Sequence, residues 1–225
     1  MKKIFNLTYW FLIGLGSAAL LVLTAAFLYL NPQIPDTRSF SEVALKAPLR
    51  IYSDDGLLIQ EFGERLTPVT FEEIPPLFIK ALLDTEDKRF FEHSGIDVVT
   101  LVNATWQLVR NRGRIRTGAS TITMQLVKNI SGDIEVRFLR KFKEMLLAVK
   151  IERELSKEEI LTLYLNIIPF GKHAFGIQAA ANTYYGKDVN QLNLAQMAML
   201  AGIPQAPEAG NPINGPRRSI TRRNL

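Results

Sequence analysis

The sequence contains no cysteine, and this absence removes several classes of protein at once. Without a thiol there is no disulfide framework, no cysteine nucleophile, and no zinc or iron–sulfur site with cysteine ligands. The two histidines, His93 and His173, are also too few for a histidine-rich metal centre. Any catalysis must therefore depend on carboxylates, hydroxyl groups and cationic side chains.

The composition is that of a folded protein with a moderate excess of positive charge. Its 225 residues are enough for one or two domains, and 47% of them are hydrophobic, which excludes a disordered chain. There are 27 Lys and Arg against 22 Asp and Glu, a formal net charge of +5. This excess suggests an anionic partner without identifying it.

No charged side chain occurs in residues 4–30. A helix over this stretch would rise about 1.5 Å per residue and reach roughly 40 Å, more than the ~30 Å hydrocarbon layer of a membrane. We expect an uncleaved anchor; the alternative is a cleaved signal peptide, whose apolar region is usually about 7 to 15 residues. Because Lys2 and Lys3 precede the stretch, the N-terminus is expected in the cytoplasm and the rest across the membrane.

A proline-bearing linker and a hairpin separate this anchor from the rest of the chain. Residues 31–48 read as a linker, and apolar runs at residues 49–52 and 57–59 flank Asp54-Asp55-Gly56, a turn signal that predicts a β-hairpin. We therefore expect three parts: residues 1–30 as cytoplasmic tip and transmembrane helix, residues 31–70 as linker and hairpin, and residues 71–225 as a C-terminally truncated domain.

The third part carries mostly helical signals. Asp97 and Ser120 are expected to cap helices, Ser156 begins a capping box, and Gly113, Gly132, Gly186 and Gly202 follow helix ends. The spacing of apolar residues predicts a mainly α domain. The expected helices cover about residues 77–85, 98–111, 121–129, 136–155, 157–167, 174–185 and 194–201.

The densest cluster of ionisable groups lies in residues 84–97. Glu86 and Asp87 are neighbouring like charges beside Phe90 and Phe91, and desolvation by such rings raises the pKa of a carboxyl group. A carboxylate of this kind suits a general base. The alternative is a set of solvated charges at a helix end, with the phenylalanines buried and His93 in a routine hydrogen bond.

Two further segments combine small, polar and cationic residues. In residues 118–129, hydroxyl side chains at a helix N-terminus offer amides to an anion, and Lys128 adds positive charge; the alternative is an ordinary capped helix after a solvated loop. In residues 140–144, Lys141 and Glu144 share a helix face beside Arg140; here the alternative is a surface ion pair worth little.

Together these segments resemble the peptidoglycan glycosyltransferases, the family found in class A penicillin-binding proteins and in monofunctional murein polymerases. Residues 86–97 match the family pattern Glu-Asp-x-x-Phe-x-x-His-x-Gly-x-Asp, and residues 118–129 match Gly-x-Ser-Thr-x-x-x-Gln-x-x-Lys-Asn, with Met124 where Gln is more usual. The remaining matches are Arg-Lys-x-x-Glu and three segments at residues 157–171, 184–187 and 200–207. They run in order over residues 50–225.

The resemblance implies polymerisation of lipid II into β-1,4-linked glycan with inversion and release of undecaprenyl diphosphate. By similarity Glu86 is the general base, and Lys128, Arg140 and Lys141 neutralise the diphosphate. Glu144 is a second carboxylate that orients substrate or holds a cation, and Ser120 and Gln125 line the donor site, where Met124 alters contacts. The supporting motif residues are Asp87, Phe90, His93, Gly95, Asp97, Gly118, Thr121, Asn129, Tyr164, Asn166 and Gly171.

The resemblance also implies a lysozyme-like, two-lobed helical fold on the outer face of the bacterial cytoplasmic membrane. The smaller lobe, loosely residues 100–140, would meet the bilayer through Trp106, Leu108 and Val109. No cofactor is required, although a divalent cation, Mg²⁺ or Mn²⁺, is compatible with the diphosphate site. The expected partners are lipid II, the growing glycan strand, the bilayer and proteins of cell-wall elongation or division, but no nucleic acid.

Three alternatives stay open at this stage. A membrane-anchored, lysozyme-like hydrolase would also use an acidic residue in a cleft, but it does not need the cations. A scaffold that keeps the fold without catalysis is the second. The third concerns extent. Residues 51–56 and 62–64 resemble bifunctional more than monofunctional members, yet no Ser-x-x-Lys or Lys-Thr-Gly occurs, so a transpeptidase domain is expected beyond residue 225; the alternative is a natural monofunctional enzyme.

Overall fold

The computed structural model describes residues 2–30, 32, 49–62, 67–111, 118–131 and 137–224. The described part is mainly α-helical with one small sheet, as the sequence predicts. Its elements in chain order are α1 (Lys2–Leu30), β1 (Leu49–Tyr52), β2 (Leu58–Phe62), α2 (Pro76–Glu86), α3 (Val98–Arg110), α4 (Ile122–Ser131), α5 (Arg137–Glu154), α6 (Lys157–Ile167), α7 (Ile177–Tyr185), α8 (Leu194–Ala201), α9 (Pro207–Gly210) and α10 (Pro216–Arg223). Short 3₁₀ turns occupy Phe71–Glu73 and Val189–Gln191.

The uncharged N-terminal stretch forms one continuous helix, α1. Within the described residues, its Tyr9–Leu30 portion is the one helix long and apolar enough to cross a membrane. The linker expected over residues 31–48 lies outside the described residues except for Pro32.

The hairpin is confirmed, with β1 and β2 antiparallel and Leu49 opposite Phe62. Its turn is closed by the Ser53 amide, which donates to the Leu57 carbonyl at 2.8 Å. Gly56 takes a φ of +80°, which other residues adopt only at a cost. The second strand extends to Phe62, beyond the apolar run that predicted it.

Helix α4 lies at the centre of the packing. It packs against α5 on one side and α6 on the other, and it buries Ile122, Thr123, Met124, Leu126 and Val127. A second layer forms where α8 packs against both α2 and α10. Helix α2 ends at a residue of the first motif, and α4 begins within the second. The packed core therefore holds these two motifs in fixed relative positions.

Helix α3 is packed differently from the others. Asp97 caps it as expected, accepting from the Thr100 amide at 3.1 Å, but Ala104 is the one buried residue among its 13. Large apolar side chains stand exposed along it: Val98, Val99, Val102, Trp106 and Val109. Such an apolar surface is unusual for a helix that faces water.

Two expected helix starts are wrong. Helix α4 begins at Ile122 and is capped by Thr121, whose hydroxyl accepts from the Met124 amide at 3.2 Å and donates to the Gly95 carbonyl at 2.7 Å. Ser120 is not the cap because its hydroxyl instead accepts a hydrogen bond from Lys141. The helix also runs past residue 129 to Ser131. The glycines expected after α3 and α4, Gly113 and Gly132, lie outside the described residues.

Helix α7 begins at Ile177 rather than near residue 174. The preceding chain stays in a loop because Pro169 and Phe175 form an isolated bridge, and Lys172 and His173 have positive φ angles of 52° and 57°. The other helix ends agree with the predicted caps, including the Ser156 capping box at the start of α6 and Gly186 at the end of α7.

The same loop depends on a close backbone approach at Gly171. Its φ is +80°, and a Cβ added there would lie 2.2 Å from the Pro207 carbonyl oxygen and 2.8 Å from the Asn211 side-chain nitrogen. Replacement of Gly171 by alanine should therefore destabilise the protein by about 3 kcal/mol or more, because both the φ angle and the space exclude a side chain. Denaturant unfolding of the detergent-solubilised chain measures this loss.

Gly186 provides the matched control, since it also has a positive φ, +61°, but has open space around its Cα. Gly186→Ala should cost only about 1 kcal/mol, the penalty of the left-handed conformation alone. Equal losses for the two variants would contradict the packing role of Gly171.

Candidate active site

A cleft of about 740 Å³ opens between the end of α2, the start of α4, the first turns of α5 and the segment after α8. The three charged motifs, which are far apart in sequence, meet in its walls. Of the residues predicted to act on substrate, all seven line it: Glu86, Ser120, Gln125, Lys128, Arg140, Lys141 and Glu144. The supporting residues Asp87, Asp97, Gly118 and Thr121 also line it.

Glu86 is the last residue of α2, and its side chain is only 8% exposed. The Gln125 amide nitrogen donates to Glu86 Oε2 at 3.1 Å, whereas Oε1 is buried and has no hydrogen-bond partner among the described residues. Burial raises the pKa of Glu86; the Gln125 hydrogen bond and the Arg222 charge oppose this shift, and the Asp87 charge adds to it. A carboxylate with a raised pKa is a better proton acceptor near neutral pH than an ordinary one.

The orientation of Gln125 is set from behind the cleft by Tyr164. The buried Tyr164 hydroxyl donates to Gln125 Oε1 at 3.1 Å, so the amide NH₂ group is directed at Glu86. Burial, with the charges of Glu86 and Asp87, raises the pKa of Tyr164 well above its ordinary value. The hydroxyl therefore stays protonated and remains a donor.

Asp87 joins the end of α2 to the start of α4. Its carboxylate accepts from the Ile122 amide at 2.9 Å and from His93 Nε2 at 3.0 Å. The Gly95 amide donates to His93 Nδ1 at 3.2 Å, so the ring proton is on Nε2. Asp87 and His93 are both buried, and their hydrogen bonds hold the backbone beside Glu86 in place.

The rest of the first motif packs rather than reacts. Phe90 is fully buried, and a Cβ at Gly95 would lie 2.7 Å from the Ala148 backbone, so only glycine lets this loop reach α5. At Asp97, burial alone would raise the pKa of the carboxyl, but hydrogen bonds from Thr100 and the Arg89 charge outweigh it and lower that pKa.

One wall of the cleft is cationic. Lys141 Nζ donates to Ser120 Oγ at 2.7 Å and to Glu144 Oε2 at 2.9 Å, and Arg140 Nε lies 3.5 Å from Glu144 Oε1. Glu144 is 4% exposed, so its carboxylate is committed to these two cations. Lys128 is exposed and forms no ion pair with a described residue. Three cations against one carboxylate leave this wall positive.

Most of the remaining motif residues lie away from the cleft. Asn166 pairs its amide with both backbone groups of Val69, at 2.8 and 2.9 Å, and thereby fastens the segment before α2 to α6. Asn129 is exposed near the end of α4, and Gly171 packs against the Pro207 backbone. Met124, where the motif departs from the family pattern, is buried in the core but also reaches the cleft wall.

The described acidic groups do not fit a protein-held divalent cation. Among the described residues no three His, Asp or Glu side chains form a cluster that could bind a metal ion. Glu144, the one buried carboxylate on the cationic wall, is already neutralised by Lys141 and Arg140. We therefore derive no catalytic step through a metal.

Two further residues, Arg222 and Gln205, belong to the site although the sequence predicts no role for either. Arg222 on α10 lies 3.8 Å from Glu86 Oε1 through its NH2 group, and Gln205 lines the cleft and accepts from Arg222 NH1. The family motif at residues 200–207 includes Gln205, so the sequence does contain a signal for this residue. No sequence pattern relates residue 222 to residue 86, since their proximity comes from the packing of α10 on α8.

Tyr164→Phe tests the orientation of Gln125. Loss of the hydroxyl leaves Gln125 Oε1 unpaired and its amide free to turn from Glu86, so the Glu86 pKa should rise further. The free energy of unfolding should fall by about 1 kcal/mol. The Glu86 pKa is read from a ¹³C NMR titration of the glutamate carboxyl carbons, assigned with Glu86→Gln.

Tyr184→Phe is the matched control, because the Tyr184 hydroxyl donates to the Phe170 carbonyl at 2.8 Å outside the cleft. It should cost similar stability and leave the Glu86 titration unchanged. An unchanged Glu86 titration in Tyr164→Phe would contradict the role of Tyr164.

Comparison with known proteins agrees with the motifs in the cleft. Residues 55–225 match the family model described as Transglycosylase. The chain is 48% identical over 223 residues to penicillin-binding protein 1A of Pseudomonas aeruginosa, which is 99% of this chain and 27% of that protein. It is 45% identical over 215 residues to penicillin-binding protein 1A of Escherichia coli, which is 95% of this chain and 25% of that protein.

A crystal structure of penicillin-binding protein 1A from Haemophilus influenzae matches with 30% sequence identity and a TM-score of 0.43, over 80% of this chain and 17% of that chain. The chain thus spans about a quarter of the length of the relatives it matches. Because the family model covers most of the chain and includes every cleft residue, the chain belongs to the transglycosylase family.

Proposed function

We propose that this chain is a peptidoglycan glycosyltransferase, which polymerises lipid II into β-1,4-linked glycan strands with inversion and releases undecaprenyl diphosphate. The observation that carries the proposal is one cleft that holds both a buried carboxylate, Glu86, and the cations Lys128, Arg140 and Lys141. Transfer of a sugar from a diphosphate needs both: a base for the incoming hydroxyl and positive charge for the leaving group.

Glu86 is the base in this proposal. Its carboxylate, which lines the cleft, accepts the proton from the 4-hydroxyl of the acceptor GlcNAc. The acceptor oxygen then forms a bond to the anomeric carbon of the donor, while the bond from that carbon to the diphosphate oxygen breaks and its electron pair stays with the diphosphate. Attack from the face opposite the leaving group inverts the anomeric centre.

The cationic wall receives the leaving group. Lys128 is exposed toward the cleft and has no competing carboxylate among the described residues, so it contacts phosphate oxygens directly. Lys141 is held by Ser120 and Glu144, which fixes its ammonium group before substrate arrives. Preformed positive charge of this kind lowers the energy of the transition state because no reorganisation is needed.

Glu144 supports synthesis over hydrolysis. Most glycosidases need two carboxyl groups that act on the sugar, one as acid and one as base or nucleophile. Here Glu144, the second carboxylate that the motifs predict for the site, is buried and bonded to Lys141, with Arg140 beside it. It orients the cations and is not free to activate water, so the cleft suits a diphosphate substrate better than a neutral glycan.

We propose that no cofactor is required, because the chain's own cations face the leaving group. A divalent cation, Mg²⁺ or Mn²⁺, would be carried by the substrate's diphosphate, since the described carboxylates do not form a site for it.

We also propose that the protein lies in the bacterial cytoplasmic membrane with the cleft on the outer side. Helix α1 is the anchor, and Lys2 and Lys3 keep its start in the cytoplasm. The exposed apolar side chains of α3 are the second contact with the bilayer, where they would leave water. A substrate on a polyprenyl lipid would then reach the cleft from the membrane surface.

Incubation of the detergent-solubilised chain with labelled lipid II should produce glycan polymer. Glu86→Gln should reduce the rate by about a thousandfold, because general base catalysis contributes roughly 10²–10⁴-fold. Gel separation of the labelled glycan measures the polymer formed by the wild type and the rate of the variant. Polymer formation should persist when a chelator is added at a concentration that removes free divalent cations.

Glu92→Gln is the matched control, since Glu92 belongs to the same motif but is exposed and pairs only with Arg89 among the described residues. It should retain nearly full activity. If lipid II yields no polymer and finished glycan is instead cut into fragments, the protein is a hydrolase. Equal polymer from wild type and Glu86→Gln would remove Glu86 as the base.

The bilayer contact of α3 can be read from Trp106, because the sequence has two tryptophans and the other is Trp10 in α1. In the Trp10→Phe variant, reconstituted into vesicles, lipids brominated near the headgroup should quench most of the Trp106 fluorescence. The matched control carries Trp106→Phe and Leu194→Trp in the same Trp10→Phe background, because Leu194 on α8 is as exposed as Trp106, at 64%. Equal quenching at both positions would contradict a specific contact through α3.

A further inference from the structure

Arg222 approaches Glu86 from outside the cleft. It lies in the last turn of α10, and its side chain is 17% exposed. Helix α10 packs on α8, which packs on α2, the helix that ends at Glu86. The approach is close because residue 202 is glycine: a Cβ there would lie 3.2 Å from Arg222 Cβ. Arg222 is not among the residues that line the cleft.

One guanidinium group joins two parts of the active site. Its NH2 lies 3.8 Å from Glu86 Oε1, and its NH1 donates to the side-chain oxygen of Gln205, a residue of the cleft wall. Glu86 Oε1 and Arg222 Nε are both buried, and neither has a hydrogen-bond partner among the described residues. The guanidinium is thus near enough for its positive charge to act on the carboxylate, although it forms no hydrogen bond to Oε1.

We infer that Arg222 is a positioning residue for Glu86, which favours the ionised carboxylate through its charge without a hydrogen bond to it, and which holds Gln205 in the cleft wall. The inference rests on the proposed role of Glu86 as base. A hydrogen bond at full strength would stabilise the carboxylate further and make it a weaker base, whereas loss of the cation would make the buried carboxylate harder to ionise. The 3.8 Å separation avoids both.

The charged and titratable groups around Glu86 show why Arg222 is needed. Burial and the neighbouring Asp87 raise the pKa of Glu86, and Arg222 is the described cation that lowers it. Helix α8 has no titratable side chain, and α6 presents Tyr164, which stays neutral. The cations and acids that share the cleft with Glu86 are Asp84, Lys88, Arg89, Asp97, Lys128, Arg140, Lys141 and Glu144.

The test is the pH dependence of lipid II polymerisation by the full chain. In Arg222→Gln the acidic limb of the kcat/KM profile should move to higher pH, because an opposite charge within about 4–6 Å favours the ionised form of a carboxyl group. A shift of about one pH unit is expected. On the acidic limb the variant's kcat/KM, relative to wild type, should therefore be about tenfold lower than the same ratio on the alkaline plateau. Arg222→Lys keeps the charge but not the planar donor group, so it should restore the limb and raise KM through Gln205.

Arg223→Gln is the matched control, since this neighbouring arginine is exposed and donates to Asn224. Its profile should superimpose on that of the wild type. If Arg222→Gln does not fold, Arg222→Met, which keeps the aliphatic packing of the arginine stem, carries the same expectation. A folded, charge-removed variant whose acidic limb coincides with that of the wild type overturns the inference, whatever its absolute rate. Failure of the wild type to form polymer would instead refute the proposed function.

Discussion

The structure depends on one buried joint, the carboxylate of Asp87 at the N-terminus of α4. It accepts from the Ile122 amide and from His93, so it neutralises the positive end of the helix while its own charge is satisfied by donors. Because Asp87 follows Glu86 directly, this joint also fixes the end of α2 against α4. An unpaired buried carboxylate would cost several kcal/mol, so the joint forms completely or the cleft does not form.

The carboxylate and the cations of the cleft have opposite electrostatic requirements. Burial of Glu86 raises the pKa of its carboxyl group, and the Gln125 hydrogen bond and the Arg222 charge oppose this rise. On the cationic wall the cations stay partly exposed, and Glu144 provides the one buried counter-charge that holds Lys141 in place. The cleft therefore restrains a negative charge that must accept a proton, and it presents positive charge that must meet a diphosphate.

Much of the fold could be predicted because its signals are local. The capping box at Ser156, the N-cap at Asp97 and the apolar spacing of α5 each involve residues within a few positions of one another. The start of α4 could not, since Ser120 and Thr121 are both good caps. Two tertiary contacts distinguish them. Lys141 of α5 donates a hydrogen bond to the Ser120 hydroxyl, and the Thr121 hydroxyl donates to the Gly95 carbonyl.

The amino-acid sequence by itself determined the helices, the uncharged N-terminal span and the motif residues that line the cleft, because each is marked by composition or short-range spacing. Only the tertiary structure decided which carboxylate is buried, that Tyr164 orients Gln125, and that Arg222 faces Glu86. These relations join residues that are 39 and 136 positions apart. Burial and charge act through distances in space, and the packing of α10 on α8 and of α4 on α6 sets those distances.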